Sequence, residues 1–257
     1  MSPDHESKPR KDRIDKLLVD LGLADSRTKA QALVLAGVVL ADEKRIEKPS
    51  QLVLDSSSVR LKGEGPESRY VSRGGLKLEH ALSEFKINPT GFVCVDVGSS
   101  TGGFTDCLLR HGALKVVAID SGTNQMVWSL RNDDRVDLRE KTNARSLKPE
   151  DFDSPFDLAV IDVSFISVTK ILPAVVPLLN PDGKIIVLIK PQFEVGRGEV
   201  GKGGIVKDPL KHSRVIDEVN ESASDLGLSL NGVIDSPILG AEGNKEFLAL
   251  YERNGKR

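Results

Sequence analysis

The chain has 257 residues and a formal net charge of −2, and its length exceeds the roughly 100 to 200 residues usual for one domain, so we expect a large domain with a small one. Near-neutral charge gives no overall attraction to nucleic acid, and 4% aromatic residues disfavour a surface built on many stacked bases. The polar N-terminus and the absence of a long apolar run disfavour secretion and membrane insertion, which predicts a cytoplasmic protein. Cys94 and Cys107 lie in apolar segments, so we expect buried thiols and no metal site.

The first predicted unit is small and mixes helices with strands. After a flexible tail over residues 1–12, apolar residues recur at helical spacing from Ile14 to Leu21. Ser26 is a suitable N-cap for a second helix, which ends at Gly37. Apolar residues and polar turns then alternate as far as Lys62. The sequence therefore predicts a small α+β domain over residues 13–62.

The rest of the chain alternates predicted strands with helices. A charged, glycine-rich stretch over residues 63–75 predicts a linker, and residues 76–254 form the second domain. Apolar runs such as VVAI, LAVI and IIVLI are typical of parallel strands covered on both faces. The alternation predicts an α/β fold with a doubly wound, mostly parallel, Rossmann-like sheet. The predicted helices are 76–85, 103–111, 125–130, 168–179 and 209–226, and the predicted strands are 92–97, 115–119, 136–138, 157–161, 184–189, 228–234 and 246–251.

A glycine-rich loop, VDVGSSTGGFTD at residues 95–106, follows the first strand of that sheet. Ligands bind at the carboxyl ends of strands in such folds, and glycines let backbone N–H groups approach a ligand. The dinucleotide pattern G-x-G-x-x-G is absent, and Asp96 would repel a pyrophosphate. An acid there suits the cationic amino and sulfonium groups of S-adenosylmethionine, and Asp120 can bind ribose hydroxyls from the end of the next strand. The loop therefore predicts an S-adenosylmethionine site in a methyltransferase.

Several of these positions have a second interpretation. The glycine loop can be a plain turn, and Asp120 an ordinary strand-end acid. Asn143 can reach the adenine or simply form a turn. The predicted cofactor contacts are Asp96, Gly98, Ser99, Ser100, Thr101, Gly102, Gly103, Phe104, Thr105, Asp120, Asn143 and Asp162.

Two later strands end in residues that can act on a substrate. Asp162 is followed by VSF, whereas methyltransferases acting on base amino groups commonly have two prolines after this acid, so a base nitrogen is a less suitable acceptor. Lys190 ends IIVLIK beside the expected methyl donor, and a snorkelling strand-end lysine is the alternative. A lysine can help to deprotonate a hydroxyl if its surroundings favour the neutral amine. Lys77 is its candidate neighbour, and Glu246 could orient either of the two lysines through a charged hydrogen bond.

The segments SRGGLKL, VDVGSSTGGFTD, VIDVSFIS, IKPQFE and EGNKEF together resemble the TlyA (hemolysin A) family of ribosomal RNA 2′-O-methyltransferases, with an FtsJ-type catalytic domain. The resemblance covers about residues 10–252. It implies a catalytic tetrad of Lys77, Asp162, Lys190 and Glu246, in which Lys190 is the usual candidate for removing the proton. It also implies S-adenosylmethionine as cofactor and ribosomal RNA or ribosomal subunits as partner.

The first unit resembles the RNA-binding domain of ribosomal small-subunit protein four. In such domains, basic residues around the two helices contact RNA phosphates, which supplies affinity without sequence choice. Interleaved acids leave a plain solvated surface as the alternative. The loop GRGEVGKGGIVKD, with Arg197, Lys202 and Lys207, predicts either a mobile basic flap or a solvated loop. The predicted RNA contacts are Arg13, Lys16, Arg27, Lys29, Arg69 and Arg73.

Two other functions stay open on the sequence alone. One is a ribosome assembly factor that keeps the donor pocket without turnover. The other is a cytolysin, which only the historical family name suggests and which the absence of apolar spans disfavours. The modified nucleotide and the ribosomal subunit are not encoded in these motifs, and both a monomer and a homodimer are compatible with them.

Overall fold

The computed structural model describes residues 11–42, 44–61, 69–196, 198–240 and 243–253. The boundary between its two compact units falls between Arg69 and Tyr70. The predicted linker, residues 63–75, ends too late, because a helix already begins at Gly74. A side chain at Gly75 would clash with the ring of Tyr70. Glycine is therefore required here for close packing, whereas the sequence suggested flexibility.

The small unit contains two helices and two small antiparallel sheets. One sheet pairs β1 with β4, and in the other β2 lies between β3 and β5. The predicted tail is wrong at its end, since Lys11 and Asp12 pair with Leu54 and Val53. As expected, Ser26 caps the second helix by accepting a hydrogen bond from the N–H of Lys29 at 3.3 Å. The elements are β1 (Lys11–Arg13), α1 (Ile14–Asp20), α2 (Arg27–Leu35), β2 (Val39–Ala41), β3 (Lys44–Arg45), β4 (Leu52–Leu54) and β5 (Val59–Leu61).

The large unit is a seven-stranded sheet with helices on both faces, in the order β11-β12-β10-β9-β6-β7-β8. Strands β6 to β10 are parallel, and β12 and β11 extend the sheet in antiparallel fashion. The helices are α3 (Gly74–Glu84), α4 (Gly103–Arg110), α5 (Trp128–Arg131), α6 (Leu172–Val175), α7 (Pro191–Glu194) and α8 (Pro209–Asp225). The strands are β6 (Val93–Val97), β7 (Lys115–Ile119), β8 (Val136–Arg139), β9 (Phe156–Ile161), β10 (Leu179–Ile189), β11 (Leu228–Asp235) and β12 (Phe247–Arg253).

The core of the large unit has two layers, one on each face of the sheet. Val95 and Val97 pack into one layer, and Cys94 packs into the other. Alternate residues of a strand point to opposite faces, so a strand covered on both sides is apolar throughout. This arrangement confirms the doubly wound fold. Both cysteines are free and buried, and burial raises the pKa of the Cys94 thiol to about 12. No described helix has the length and apolar character needed to span a membrane.

The predicted continuous helix over residues 168–179 is wrong. The segment forms a 3-10 turn at Val168–Lys170, the short helix α6 and another 3-10 turn at Val176–Leu178. Pro173 and Pro177 lack the N–H that a continuing helix requires. The apolar periodicity of the segment predicted which residues are buried and did not predict the backbone conformation.

Sheet topology brings the functional strand ends to one edge. The glycine loop follows β6, and Asp120, Asp162 and Lys190 follow β7, β9 and β10. These parallel strands all end at the same edge of the sheet. Strand β12 runs in the opposite direction and begins there, with Phe247 opposite Ile189. Glu246, which directly precedes β12, therefore lies beside the end of β10.

Candidate active site

The glycine loop is shaped by backbone conformations that other residues adopt only under strain. Gly98 has φ +88°, and a side chain there would clash with the carbonyl oxygen of Asp162. Gly102 has φ +98°, and a side chain there would clash with Leu130. The first of these close approaches joins the loop to the end of β9. The second holds the loop against the segment before β8.

Two cavities share Gly98, Ser100 and Asp162 in their walls. The larger has a volume of about 690 Å³, within the range of roughly 300 to 1,000 Å³ for small-molecule sites. The smaller has a volume of about 250 Å³. A nucleoside with a short amino-acid tail fits this pair of spaces. The larger is also lined by Asp120, Gln125, Asn143, Val163 and Phe165, and the smaller by Arg73, Lys77, Ser99, Thr101, Gly103 and Phe104.

Asp120 supports the loop and also faces the larger cavity. Its two carboxylate oxygens accept hydrogen bonds from the N–H groups of Ser100 at 2.8 Å and Gly122 at 2.7 Å. Asn143 is exposed at the same cavity, and its side-chain oxygen accepts a hydrogen bond from the N–H of Arg145 at 3.1 Å. Both residues thus form local turns, as the alternative interpretation held. Their position on the cavity wall still allows the predicted contacts with a nucleoside.

Asp96 lies beneath the loop and is completely buried. Thr105 donates a hydrogen bond to its Oδ2 at 2.6 Å, and its Oδ1 has no hydrogen-bond partner among the described residues. Burial raises the pKa of Asp96 to about 7. Asp96, Gly102 and Thr105 are not among the residues that line either cavity, and their contacts with the cofactor stay predictions. The Oδ1 of Asp96, which has no partner among the described residues, favours a cationic ligand above it, because an opposite charge stabilises the ionised carboxylate.

The four tetrad residues form two ion pairs. Lys77 Nζ lies 2.5 Å from Glu246 Oε2, and these side chains are 11% and 2% exposed. Lys190 Nζ lies 2.5 Å from Asp162 Oδ1 and donates a hydrogen bond to the Ser164 hydroxyl at 2.9 Å. Lys77 and Asp162 both line the smaller cavity. The structure thus pairs Glu246 with Lys77, one of the two lysines that the sequence left as its partner.

Phe165 is a surface residue that is not among the predicted site residues. Its side chain is 91% exposed, it lines the larger cavity, and its ring centroid lies 5.2 Å from that of Phe193. Its φ is +67°, which is a strained conformation for an aromatic residue. An exposed ring held under strain beside the expected methyl donor is typical of a functional position. The only sequence signal was its place three residues after Asp162.

The loop predicted as a mobile flap is tied to the body of the large unit at its end. Asn244, which is buried, accepts a hydrogen bond from the N–H of Val206 at 3.0 Å and donates one to the carbonyl of Gly204 at 2.9 Å. His212 Nε2 lies 2.7 Å from the carbonyl oxygen of Val206. Lys202 and Lys207 are exposed, and Arg197 lies outside the described residues.

The four predicted RNA contacts around the two helices of the small unit are each paired with an acid. Arg13 and Arg27 both bind Asp15. Lys16 binds Asp12 at 2.9 Å, and Lys29 binds Asp25 at 2.8 Å. Arg69 ends the small unit, and Arg73 lines the smaller cavity of the large unit.

The fold and the donor pocket together define an S-adenosylmethionine-dependent methyltransferase. The FtsJ-like methyltransferase family matches residues 70–253, and the S4 domain family matches residues 12–59. The chain therefore belongs to the FtsJ-like methyltransferases, within the TlyA (hemolysin A) family that carries an N-terminal S4 domain. This confirms the resemblance noted in the sequence.

Individual relatives match over nearly the whole chain. The 16S/23S rRNA (cytidine-2′-O)-methyltransferase TlyA of Mycobacterium tuberculosis is 46% identical over 93% of this chain and 88% of its own length. Hemolysin A of Brachyspira hyodysenteriae is 42% identical over 93% of this chain and 99% of its own length. The solved structure of a hemolysin-named protein from Streptococcus thermophilus has a TM-score of 0.73 and 45% identity, covering 96% of this chain and 90% of that one.

Proposed function

We propose that this enzyme methylates a ribose 2′-hydroxyl of ribosomal RNA. The observation that carries the proposal is the Asp162–Lys190 ion pair, because Asp162 lies in the wall common to both cavities. A lysine beside the donor pocket suits an acceptor that must lose a proton, such as a hydroxyl. The Mycobacterium tuberculosis relative carries the name of a ribosomal RNA 2′-O-methyltransferase. A ribosomal substrate implies a cytoplasmic enzyme.

Lys190 acts as the base in the proposed reaction. When bound, S-adenosylmethionine supplies an electrophilic methyl group on a sulfonium. Lys190, after its ion-paired ammonium has lost a proton to solvent, would accept the proton of the 2′-hydroxyl, and the ribose oxygen would then be able to take the methyl group from the sulfonium. Asp162 then stabilises the ammonium that forms, and Ser164 fixes its direction at 2.9 Å.

The ion pair with Glu246 fixes the ammonium of Lys77 at the wall of the smaller cavity. Glu246 accepts from Lys77 at 2.5 Å, and burial of the carboxylate restricts both side chains to this arrangement. A lysine held in place at the cavity wall can stabilise negative charge that develops on the ribose oxygen. We therefore assign Lys77 to electrostatic stabilisation and Glu246 to its positioning.

The substrate contacts are divided between the two units. Exposed basic residues of the S4 domain bind RNA phosphates, and these contacts supply affinity without sequence choice. Phe165 stacks on the nucleobase of the target nucleotide, because an exposed ring at the cavity mouth offers a flat apolar surface.

Replacing Lys190 tests the proposed chemistry. We expect Lys190→Ala to reduce methyl transfer to isolated ribosomal subunits by about 10² to 10⁴-fold, the usual contribution of a general base. Binding of S-adenosylmethionine should persist. Lys184→Ala is the matched control, because Lys184 lies on the same strand and pairs with Glu252. Full activity of Lys190→Ala would exclude it as the base, and a wild-type protein that binds subunits without methylating them would indicate an assembly factor.

A further inference from the structure

Asp15 is a completely buried carboxylate near the start of α1, and it binds three side chains. Its Oδ1 accepts from Arg13 Nε at 3.0 Å, and its Oδ2 accepts from a terminal nitrogen of Arg13 at 2.9 Å. The same Oδ2 accepts from Arg27 at 3.0 Å and from the Gln31 amide at 3.0 Å. The Asp15 side chain is 0% exposed. The hydrogen bond from Arg13, together with those from Gln31 and Arg27, holds the pKa of this carboxyl well below its usual range.

The cations bound to Asp15 face solvent although the carboxylate does not. The side chains of Arg13 and Arg27 are 44% and 58% exposed. A guanidinium presents several N–H donors in a fixed plane, and a carboxylate takes only some of them. Each arginine is therefore held from one side, with exposed surface on the other.

We propose that Asp15 is a positioning residue that orients Arg13 and Arg27 as a preformed fork for RNA phosphates. The inference depends on the proposed function, since it assumes that the small unit binds RNA. An exposed arginine loses rotamer entropy when it binds a phosphate, and this loss weakens the affinity. A buried carboxylate that fixes two guanidinium groups beforehand removes much of that cost. Asp25 is different, because its side chain is 86% exposed and its ion pair with Lys29 lies at the surface.

The proposal predicts a change in RNA affinity that is opposite to the change expected from charge alone. Asp15 contributes a negative charge next to two arginines, so a simple electrostatic view predicts that Asp15→Asn binds RNA more tightly. Orientation by Asp15 predicts weaker binding, because an amide offers one acceptor oxygen where the carboxylate offers two. The direction of the change therefore distinguishes the two views.

The test measures the affinity of the full-length chain for isolated small and large ribosomal subunits over a range of salt concentrations. We expect Asp15→Asn to weaken binding roughly tenfold and to reduce the salt slope by about 1, as for a lost phosphate contact. Asp25→Asn is the matched control, since it removes the same charge from an exposed pair, and it should bind as tightly as the wild type or more tightly. In an Arg13→Ala/Arg27→Ala background, Asp15→Asn should have no further effect.

Because Asp15 is buried, Asp15→Asn can fail to fold, and a second variant is needed to test the proposal in that case. Gln31→Met keeps every charge and removes one hydrogen bond to Asp15, and we expect it to weaken binding roughly twofold to threefold, less than loss of a charged partner. Thermal unfolding of each variant reports folding of the small unit. Weakened binding by Gln31→Met with an unchanged melting temperature supports orientation even if Asp15→Asn unfolds.

Three outcomes separate this inference from the proposed function. Binding by Asp15→Asn that equals or exceeds the wild type, while Arg13→Ala and Arg27→Ala weaken it, overturns the positioning role and leaves the RNA methyltransferase intact. Normal binding by both arginine variants overturns the fork itself. Weakened binding by Asp15→Asn, combined with no methyl transfer by the wild type, supports the fork and overturns the proposed function.

Discussion

Asp15 in the small unit and Glu246 in the large unit are both buried carboxylates bound to cations, and they differ in where those cations point. The side chains of Arg13 and Arg27 remain 44% and 58% exposed, whereas that of Lys77 is 11% exposed. A buried acid with exposed cations suits a docking surface, because the cations can still meet a partner. A buried acid with a buried cation suits a reaction site, where low solvent access strengthens electrostatic effects.

Breaking the enclosed pair should have the largest effect. We expect Glu246→Ala to lower the free energy of unfolding of the large unit by roughly 3 to 5 kcal/mol, because Lys77 would keep a buried charge without its partner. Chemical denaturation followed by circular dichroism measures this change. Glu252→Ala is the control, since Glu252 also pairs with a lysine but is 38% exposed, and its effect should stay within about 1 kcal/mol. Equal effects of the two changes would contradict the distinction between enclosed and exposed pairs.

Asp96 is a third buried carboxylate. It differs from Asp15 and Glu246, because one of its oxygens has no hydrogen-bond partner among the described residues. Its folded pKa of about 7 exceeds the value of roughly 3.9 expected in the unfolded chain. The folded state therefore holds the proton more tightly between these values, and the contribution of Asp96 to stability is full below about pH 4 and is lost as pH rises to about 7.

Asp96→Asn provides the measurement. The stability of the wild type relative to this variant should fall by up to about 4 kcal/mol between pH 4 and 7, and should level off above pH 8. Chemical denaturation at several pH values gives both curves. Parallel curves for the two proteins would show that Asp96 is ionised in the folded enzyme throughout this range.

Replacing Phe165 should cause the smallest change in stability and a specific loss of affinity for the RNA substrate. The ring is 91% exposed, so Phe165→Ala should change the melting temperature little. Loss of a base-stacking contact should raise KM for ribosomal subunits by about tenfold, since such contacts contribute roughly 1 to 3 kcal/mol. Steady-state methylation assays measure this, and Phe165→Tyr, which keeps the ring, is the control. An unchanged KM in Phe165→Ala would exclude stacking.

The sequence was sufficient for the sheet and for its functional edge. Apolar runs such as VVAI and LAVI define strands covered on both faces, and the loop and acids that follow them lie at one edge because parallel strands end together. The prediction of a continuous helix over residues 168–179 was wrong, because Pro173 and Pro177 interrupt the helix despite the apolar periodicity. Gly75 was misread as a flexible position because its packing partner, Tyr70, is not visible in composition.

Long-range partners were the part that no local pattern could supply. Lys77 and Glu246 are 169 residues apart, and the sequence left open which of the two lysines Glu246 would bind. Asp15 was seen as one of several acids among basic residues, because alternation of charge does not reveal which carboxylate is buried. The burial of a side chain and the direction in which it points depend on packing between elements. No short stretch of sequence determines that packing.

The place of Glu246 in the chain has a consequence for biosynthesis. Strand β12 lies between β10 and β11, yet it leaves the ribosome after all the other described strands of this sheet. The donor loop and both lysines are translated long before the acid that fixes Lys77. A nascent or prematurely terminated chain that ends before residue 246 therefore lacks the Lys77–Glu246 pair.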